Sequence, residues 1–67
     1  MNSDQIQGKW QQVKGSVKQN WGNLTDDDLT YIDGARDKLI GRIQERYGIQ
    51  RDEADRLVKK WMDDSAA

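Results

Sequence analysis

The sequence contains no cysteine, histidine, phenylalanine or proline among its 67 residues. Without cysteine there is no disulfide or thiolate nucleophile, and without histidine as well there is no imidazole base and no usual zinc ligand set. Apolar residues never run for more than two positions, whereas a membrane span needs about 20 and a signal-peptide core about 7. These absences predict a small soluble intracellular protein with no membrane span.

Charges of both signs are abundant but nearly cancel, with Lys plus Arg 11 and Asp plus Glu 12. This balance argues against a general phosphate-binding surface. Hydrophobic and charged residues each make up 34% of the chain, a composition that borders on disorder. Regularly placed aromatic residues and the lack of proline instead favour a helical domain with a small core, which rarely supplies more than about 3–5 kcal/mol.

The apolar spacing predicts four helices. The first has Ser3 and Asp4 as its N-cap and Gly22 as its stop. Thr25 caps the second through a capping box with Asp28. The third runs from about Ala35 to Tyr47 and is closed by Gly48, and Asp52 caps the fourth. The predicted inward residues are Ile6, Trp10, Val13, Val17, Trp21, Leu29, Ile32, Leu39, Ile40, Ile43, Tyr47, Ala54, Leu57, Val58 and Trp61.

The chain repeats itself, because residues 8–22 align without a gap to residues 34–48. Three glycines and three apolar positions coincide in the two segments. Each repeat, about 8–33 and 34–59, is interpreted as a long helix, a glycine turn and a shorter acid-capped helix. Since neither hairpin can bury its apolar face alone, the pattern predicts one all-α domain over residues 1–67. Its two hairpins pack as a four-helix bundle with an approximate two-fold axis.

Two glycines in the repeat, Gly15 and Gly41, fall inside predicted helices, where each costs roughly 1 kcal/mol relative to alanine. Both project away from the apolar stripe of their own helix. Two explanations remain open. Another backbone, from the neighbouring hairpin or from a partner, approaches closely at these positions, or the helices are simply left weak.

Only a few residues are candidates for chemistry. Asp26, Asp27 and Asp28 form the one carboxylate cluster, but consecutive helical side chains point about 100° apart and suit a helix cap better than an ion. The three tryptophans, on apolar helical spacing, are expected in the core rather than on a stacking platform. We therefore expect no catalytic, cofactor-binding or metal-binding residues.

A nucleic-acid interface is the alternative that the third helix suggests. Its basic residues are Arg36, Lys38, Arg42 and Arg46. The segment Tyr47-Gly48-Ile49 between two helices is typical of a helix-turn-helix, but the helix after it carries four basic and five acidic residues between Arg51 and Asp64. Nucleic acid is thus not the expected partner.

The runs G-K-W-x-x-V-K-G-x-V-K, W-G-x-L-T-D-D-D and D-G-x-R-D-x-L-x-G-x-I-Q-x-R-Y-G resemble the CsbD-like family of small bacterial stress-response proteins. The resemblance covers roughly Asp4 to Trp61. It implies a compact four-helix cytoplasmic protein made in general stress or stationary phase, with no known catalytic activity and no established ligand.

Together these observations predict a non-enzymatic bacterial stress-response protein, acting as a soluble protectant or a small interaction module. The alternative is a nucleic-acid-associated regulator that uses the basic third helix. A protein partner or self-association is compatible with either. Neither a cofactor nor a membrane is expected to take part.

Overall fold

The structure, a computed structural model, describes residues 8–65, except for the side chain of Ser65. This part of the chain contains four helices and no strand: α1 (Trp10–Asn20), α2 (Asp26–Ile32), α3 (Arg36–Tyr47) and α4 (Arg51–Ser65). The prediction of an all-α bundle is therefore confirmed. The N-cap predicted at Ser3 and Asp4, and the predicted core residue Ile6, lie outside the described residues. Within residues 8–65, every helix is too short or too polar to cross a membrane.

One apolar cluster, to which all four helices contribute, forms the core. α3 lies at its centre, since the most extensive helix–helix packing is between α3 and α4 and between α2 and α3. The removal of these side chains from water is the main force that holds the bundle together. The buried residues are Trp10, Val17, Trp21, Leu24, Leu29, Ile32, Leu39, Ile40, Ile43, Ala54, Val58 and Met62.

The predicted start of α2 and end of α3 are confirmed in detail. The Thr25 hydroxyl accepts a hydrogen bond from the Asp28 amide at 3.1 Å, and the Asp28 carboxylate accepts one from the Thr25 amide at 2.9 Å. This reciprocal capping box satisfies two amides that the helix leaves unpaired. At the end of α3, Gly48 adopts a φ of 65°, a left-handed conformation that glycine enters without a steric penalty.

The boundaries of α1 differ from the prediction. Lys9 has φ −114° and ψ 18°, so the helix does not run unbroken through this residue from Ser3. At the other end α1 stops at Asn20, and Trp21 caps it by donating its amide to the Val17 carbonyl at 2.8 Å. The helix therefore ends before Gly22, which does not take a positive φ.

Three predictions for the second half of the chain were wrong. α4 begins at Arg51, so Asp52 is inside its first turn instead of capping it. Leu57 is 39% exposed, while Met62, which was not predicted, is buried. The reason is that α4 faces the core along every fourth residue, through Ala54, Val58 and Met62. Tyr47 was predicted to point inward and is instead exposed.

The two repeats also differ in form. α4 has 15 residues and α3 has 12, so the second hairpin does not end in a shorter helix. Gly34 and Gly48 take positive φ values, whereas their counterparts Gly8 and Gly22 do not. The division of the domain into repeats at residues 8–33 and 34–59 stays a prediction.

Candidate functional site

The three acidic residues at the start of α2 have very different surroundings. The Asp26 side chain is 83% exposed and contacts the Lys18 ammonium at 2.6 Å, which lowers the pKa of Asp26. Asp28, two residues later, is 2% exposed and is the only buried charged residue within residues 8–64. The two carboxylates therefore do not converge. In that same stretch of chain, no group of three acidic side chains is placed to hold a metal ion.

Asp28 is buried because Arg46 of α3 pairs with it in a two-pronged contact. The Arg46 guanidinium donates from Nε to Oδ2 and from Nη2 to Oδ1, both at 2.9 Å. Such a planar, bidentate arrangement is among the stronger hydrogen-bonded contacts in proteins. It joins residues 18 positions apart in the sequence. Together with the capping bond from Thr25, it ties the start of α2 to the end of α3.

Arg42, one turn before Arg46, completes what we call the Asp28 cluster, formed by Thr25, Asp28, Arg42 and Arg46. The Nε atom of Arg42 lies 3.7 Å from Asp28 Oδ1, which is beyond hydrogen-bond range. This Nε is buried and has no hydrogen-bond partner among the described residues. The same guanidinium donates from Nη1 to Glu45 at 3.0 Å.

The electrostatics of the cluster exclude acid–base work by Asp28. The Arg46 guanidinium, helped by the Thr25 amide and opposed by burial, lowers the pKa of Asp28 from 3.8 to about 2. The carboxylate therefore stays ionised at any physiological pH. A general base works best with a pKa near the operating pH, so the arrangement is suited to holding helices together and not to moving protons.

The basic residues of α3 were the predicted surface for nucleic acid, and most of them are already engaged. Arg36 contacts the Asp55 carboxylate of α4 at 2.7 Å, and the Asp28 cluster contains Arg42 and Arg46. Lys38 lies 5.1 Å from the centre of the Tyr31 ring, in a cation–π arrangement. Phosphate binding on this surface would have to compete with carboxylates, which weakens the nucleic-acid hypothesis.

The tryptophans lie in or against the core, as predicted. Trp10 and Trp21 are 6% and 4% exposed, and Trp61 is half-buried. Trp21 and Trp61 meet edge to face, with ring centres 5.5 Å apart and planes inclined by 64°. Pairs of this geometry add about 0.5–1.5 kcal/mol beyond the area that they bury, so these rings stabilise the contact between α1 and α4.

The glycines inside α1 and α3 have open space around them. A Cβ atom built on Gly15 or Gly41 would meet nothing within 4 Å. No backbone of the described chain therefore approaches either glycine, and the explanation by a neighbouring hairpin is ruled out for residues 8–65. Each glycine lines a shallow hollow beside α2, with volumes of about 380 Å³ and about 370 Å³.

Sequence reasoning missed the pairing of Asp28 with Arg46. One signal was available, because Asp28 lies four residues before the buried Ile32 and so shares its face of α2. A carboxylate on an inward face needs a cation, but the spacing alone does not say which of the many basic residues supplies it.

The fold and its polar cluster define a small helical domain whose charged network serves the structure. The family model described as CsbD-like matches residues 4–56, so the chain belongs to the CsbD-like family. A UPF0337 protein of Pectobacterium atrosepticum is 59% identical over 63 residues, covering 94% of this chain and 91% of that protein. UPF0337 protein YjbJ of Escherichia coli K12 is 57% identical over 61 residues, covering 91% and 88%. A UPF0337 protein of Pseudomonas aeruginosa is 49% identical over 63 residues, covering 94% and 97%.

Proposed function

We propose that this chain is a non-enzymatic general stress-response protein that protects other proteins by opening part of its fold. Membership of the CsbD-like family supports the stress-response role. The non-enzymatic role is supported by the chain's lack of histidine and cysteine and by a buried carboxylate whose pKa is far from neutral.

The observation that carries the proposal is the open space at Gly15 and Gly41. Each glycine lowers the stability of its helix by roughly 1 kcal/mol relative to alanine, and no contact within residues 8–65 requires its small size. In a domain of this length, whose core supplies about 3–5 kcal/mol, this loss is large. The two glycines therefore favour a fold that opens readily.

α1 is the element best placed to open. Its N-cap residue, Lys9, makes no side-chain cap hydrogen bond, and Gly15 lies at its centre. Its ion pair with α2 joins Lys18 to Asp26, whose side chains are 49% and 83% exposed. Exposed pairs of this kind contribute about 0–1 kcal/mol. Release of α1 exposes an apolar stripe of Trp10, Val17 and Trp21, which is a surface for unfolded clients.

The remaining surface suits a protectant. Charged residues make up 34% of the chain and nearly cancel, leaving a net charge of −1. Apart from Asp28, every charged residue within residues 8–64 is exposed or partly exposed. A mixed, charged surface stays hydrated and disfavours association of the folded state, while the opened helix supplies the apolar contact.

The test is protection of a heat-sensitive or dried client enzyme, compared with an equal mass of an inert protein. Less aggregation of the client is expected. The variant Gly15→Ala/Gly41→Ala closes the fold more firmly and should protect less. Gly22→Ala is the matched control, because Gly22 lies outside the helices, has no positive φ and has open space around it.

Two results would count against this mechanism. Equal protection by a measurably stabilised Gly15→Ala/Gly41→Ala variant would show that opening is not required. No protection beyond that of the inert protein would remove the protectant role and leave the small interaction module as the function of this fold.

A further inference from the structure

α4 presents a second face that nothing in the described chain covers. Its core face is the stripe of Ala54, Val58 and Met62. Leu57 points about 100° away from Val58 around the helix and is 39% exposed. The other exposed large apolar side chains within residues 8–64, Tyr31 and Tyr47, have contacts of their own.

Those contacts set the tyrosines apart from Leu57. The Tyr31 ring lies beneath the Arg42 guanidinium, 4.1 Å from its centre. The Tyr47 hydroxyl accepts a hydrogen bond from the Asn23 amide at 3.2 Å. Leu57 has no polar group to satisfy, and its exposure has no such explanation within the fold.

The surroundings of Leu57 form a shallow hollow with a volume of about 300 Å³. Half-buried Trp61, one turn along α4, forms part of its wall, and the core residue Trp21 forms another part. The hollow therefore offers an apolar side chain from a second molecule a place beside the half-buried indole ring of Trp61. The lining residues are Asn20, Trp21, Leu57, Lys60, Trp61 and Asp64.

The charged residues beside Leu57 indicate which kind of molecule binds to this face of α4. Glu53 and Lys60 lie seven residues apart on the same flank of Leu57, or about 10 Å along the helix axis. Both are exposed, and neither has an ion-pair partner within 4.0 Å among the described residues. Glu53 precedes Leu57 along the helix and Lys60 follows it, so this pair is complementary to the same pair in a second copy turned through 180°.

We propose that this face of α4 binds a second copy of the chain as an antiparallel homodimer. The two α4 helices pack against each other across a two-fold axis near Leu57. The two Leu57 side chains, one from each copy, meet at this axis and fill the hollows. Glu53 of each copy then faces Lys60 of the other, which gives two ion pairs. A parallel arrangement would instead place like charges opposite each other.

The dimer is weak and forms at high protein concentration. One pair of helices with a single fully apolar contact buries less than the about 1,200–2,000 Å² that is typical of stable complexes. The proposal does not depend on the protective activity, because pairing uses the closed fold, in which Asn20 and Trp21 at the end of α1 line the hollow, and its test measures association alone.

The test is sedimentation equilibrium of the full chain from about 10 µM to about 1 mM. Wild type is expected to shift from monomer to dimer across this range. Glu53→Lys and Lys60→Glu each replace two attractive pairs by two repulsive ones and should each raise the dissociation constant about tenfold. An equimolar mixture of these two variants restores opposite charges across the interface and should recover the association, as should the double swap in one chain.

Lys59→Glu is the matched control, since it makes the same charge change about 160° around α4 from Leu57, and it should leave the dissociation constant unchanged. Leu57→Gln should abolish the dimer, and its circular dichroism will show whether the fold is kept. A wild type that stays monomeric throughout, a Lys59→Glu effect equal to that of Lys60→Glu, or a mixture that fails to recover association would each overturn the proposal.

Discussion

The variant Asp28→Asn isolates the contribution of the ion pair with Arg46, because it keeps the shape of the side chain and removes its charge. The carboxylate is 2% exposed and accepts two hydrogen bonds from the guanidinium. These contacts contribute most to lowering the pKa of Asp28 from 3.8 to about 2, a shift equivalent to roughly 2 kcal/mol. Since the Arg46 side chain is 38% exposed, water screens part of its interaction with Asp28. We therefore expect Asp28→Asn to lower the free energy of unfolding by roughly 1–2 kcal/mol at neutral pH.

The lowered pKa of Asp28 determines the pH range in which the ion pair stabilises the fold. A carboxyl group whose pKa is lower in the folded state stabilises the fold above its unfolded pKa, here 3.8, and loses that contribution as the pH falls through its folded pKa of about 2. The difference in stability between wild type and Asp28→Asn should therefore be constant from about pH 7 to about pH 5 and shrink between about pH 4 and about pH 2. Urea unfolding followed by tryptophan fluorescence measures this difference at each pH.

Asp27→Asn is the control, since Asp27 is exposed in the same first turn of α2 and loses only an interaction with the helix dipole, about 0.3–1 kcal/mol. If Asp28→Asn and Asp27→Asn unfold at the same urea concentration, the Asp28 cluster does not stabilise the fold as argued. A stability gap that stays constant down to about pH 2 would refute the assignment of the lowered pKa to Asp28.

Three further predictions follow from the packing. Gly15→Ala and Gly41→Ala should each raise the free energy of unfolding by roughly 1 kcal/mol, measured by thermal denaturation, and a loss of stability would reveal a contact at these positions. Trp21→Ala should lower the free energy of unfolding by roughly 3 kcal/mol or more, whereas Leu57→Ala should lower it by less than about 1 kcal/mol. Similar losses in the two variants would contradict the burial of Trp21 and the exposure of Leu57. Duplex DNA should show no mobility shift at low salt, where phosphate contacts are strongest, and a salt-sensitive shift would mean that the α3 arginines leave their carboxylates.

What could be predicted from the sequence was local. The reciprocal bonds of Thr25 and Asp28, and the left-handed Gly48, each depend on residues within one turn of chain, so short patterns suffice to place them. The burial of Trp10 and Val17 follows from helical spacing, which needs no knowledge of the neighbouring helices.

What could not be predicted depends on how the helices are rotated against each other. The apolar residues of α4 span both Leu57 and Met62, and the spacing alone allows either to face the core. Only the packing of α4 on α3 selects Met62. In the same way, the partner of Asp28 lies 18 residues away on another helix, and a sequence with many basic residues offers no local rule for choosing Arg46.

The four helices are therefore not held equally firmly in the fold, which affects both the proposed opening of α1 and the proposed dimer. α2 and α3 are tied by a buried, bidentate pair, and α4 packs closely on α3. α1 has no side-chain cap, a glycine at its centre and only an exposed ion pair with α2. Burial of Trp10, Val17 and Trp21 is what mainly holds α1, since its exposed ion pair contributes at most about 1 kcal/mol and Gly15 costs about as much. With no buried ion pair and less packing against the other helices than α3 and α4 have with each other, α1 is the helix that we propose is released first. Opening at α1 leaves the Asp28 cluster in place but withdraws Asn20 and Trp21 from the hollow beside Leu57, so the proposed dimer forms from the closed fold. Lys60→Glu should therefore weaken self-association without altering the opening of α1, whereas Gly15→Ala, which favours the closed fold, should lower protection and leave self-association intact.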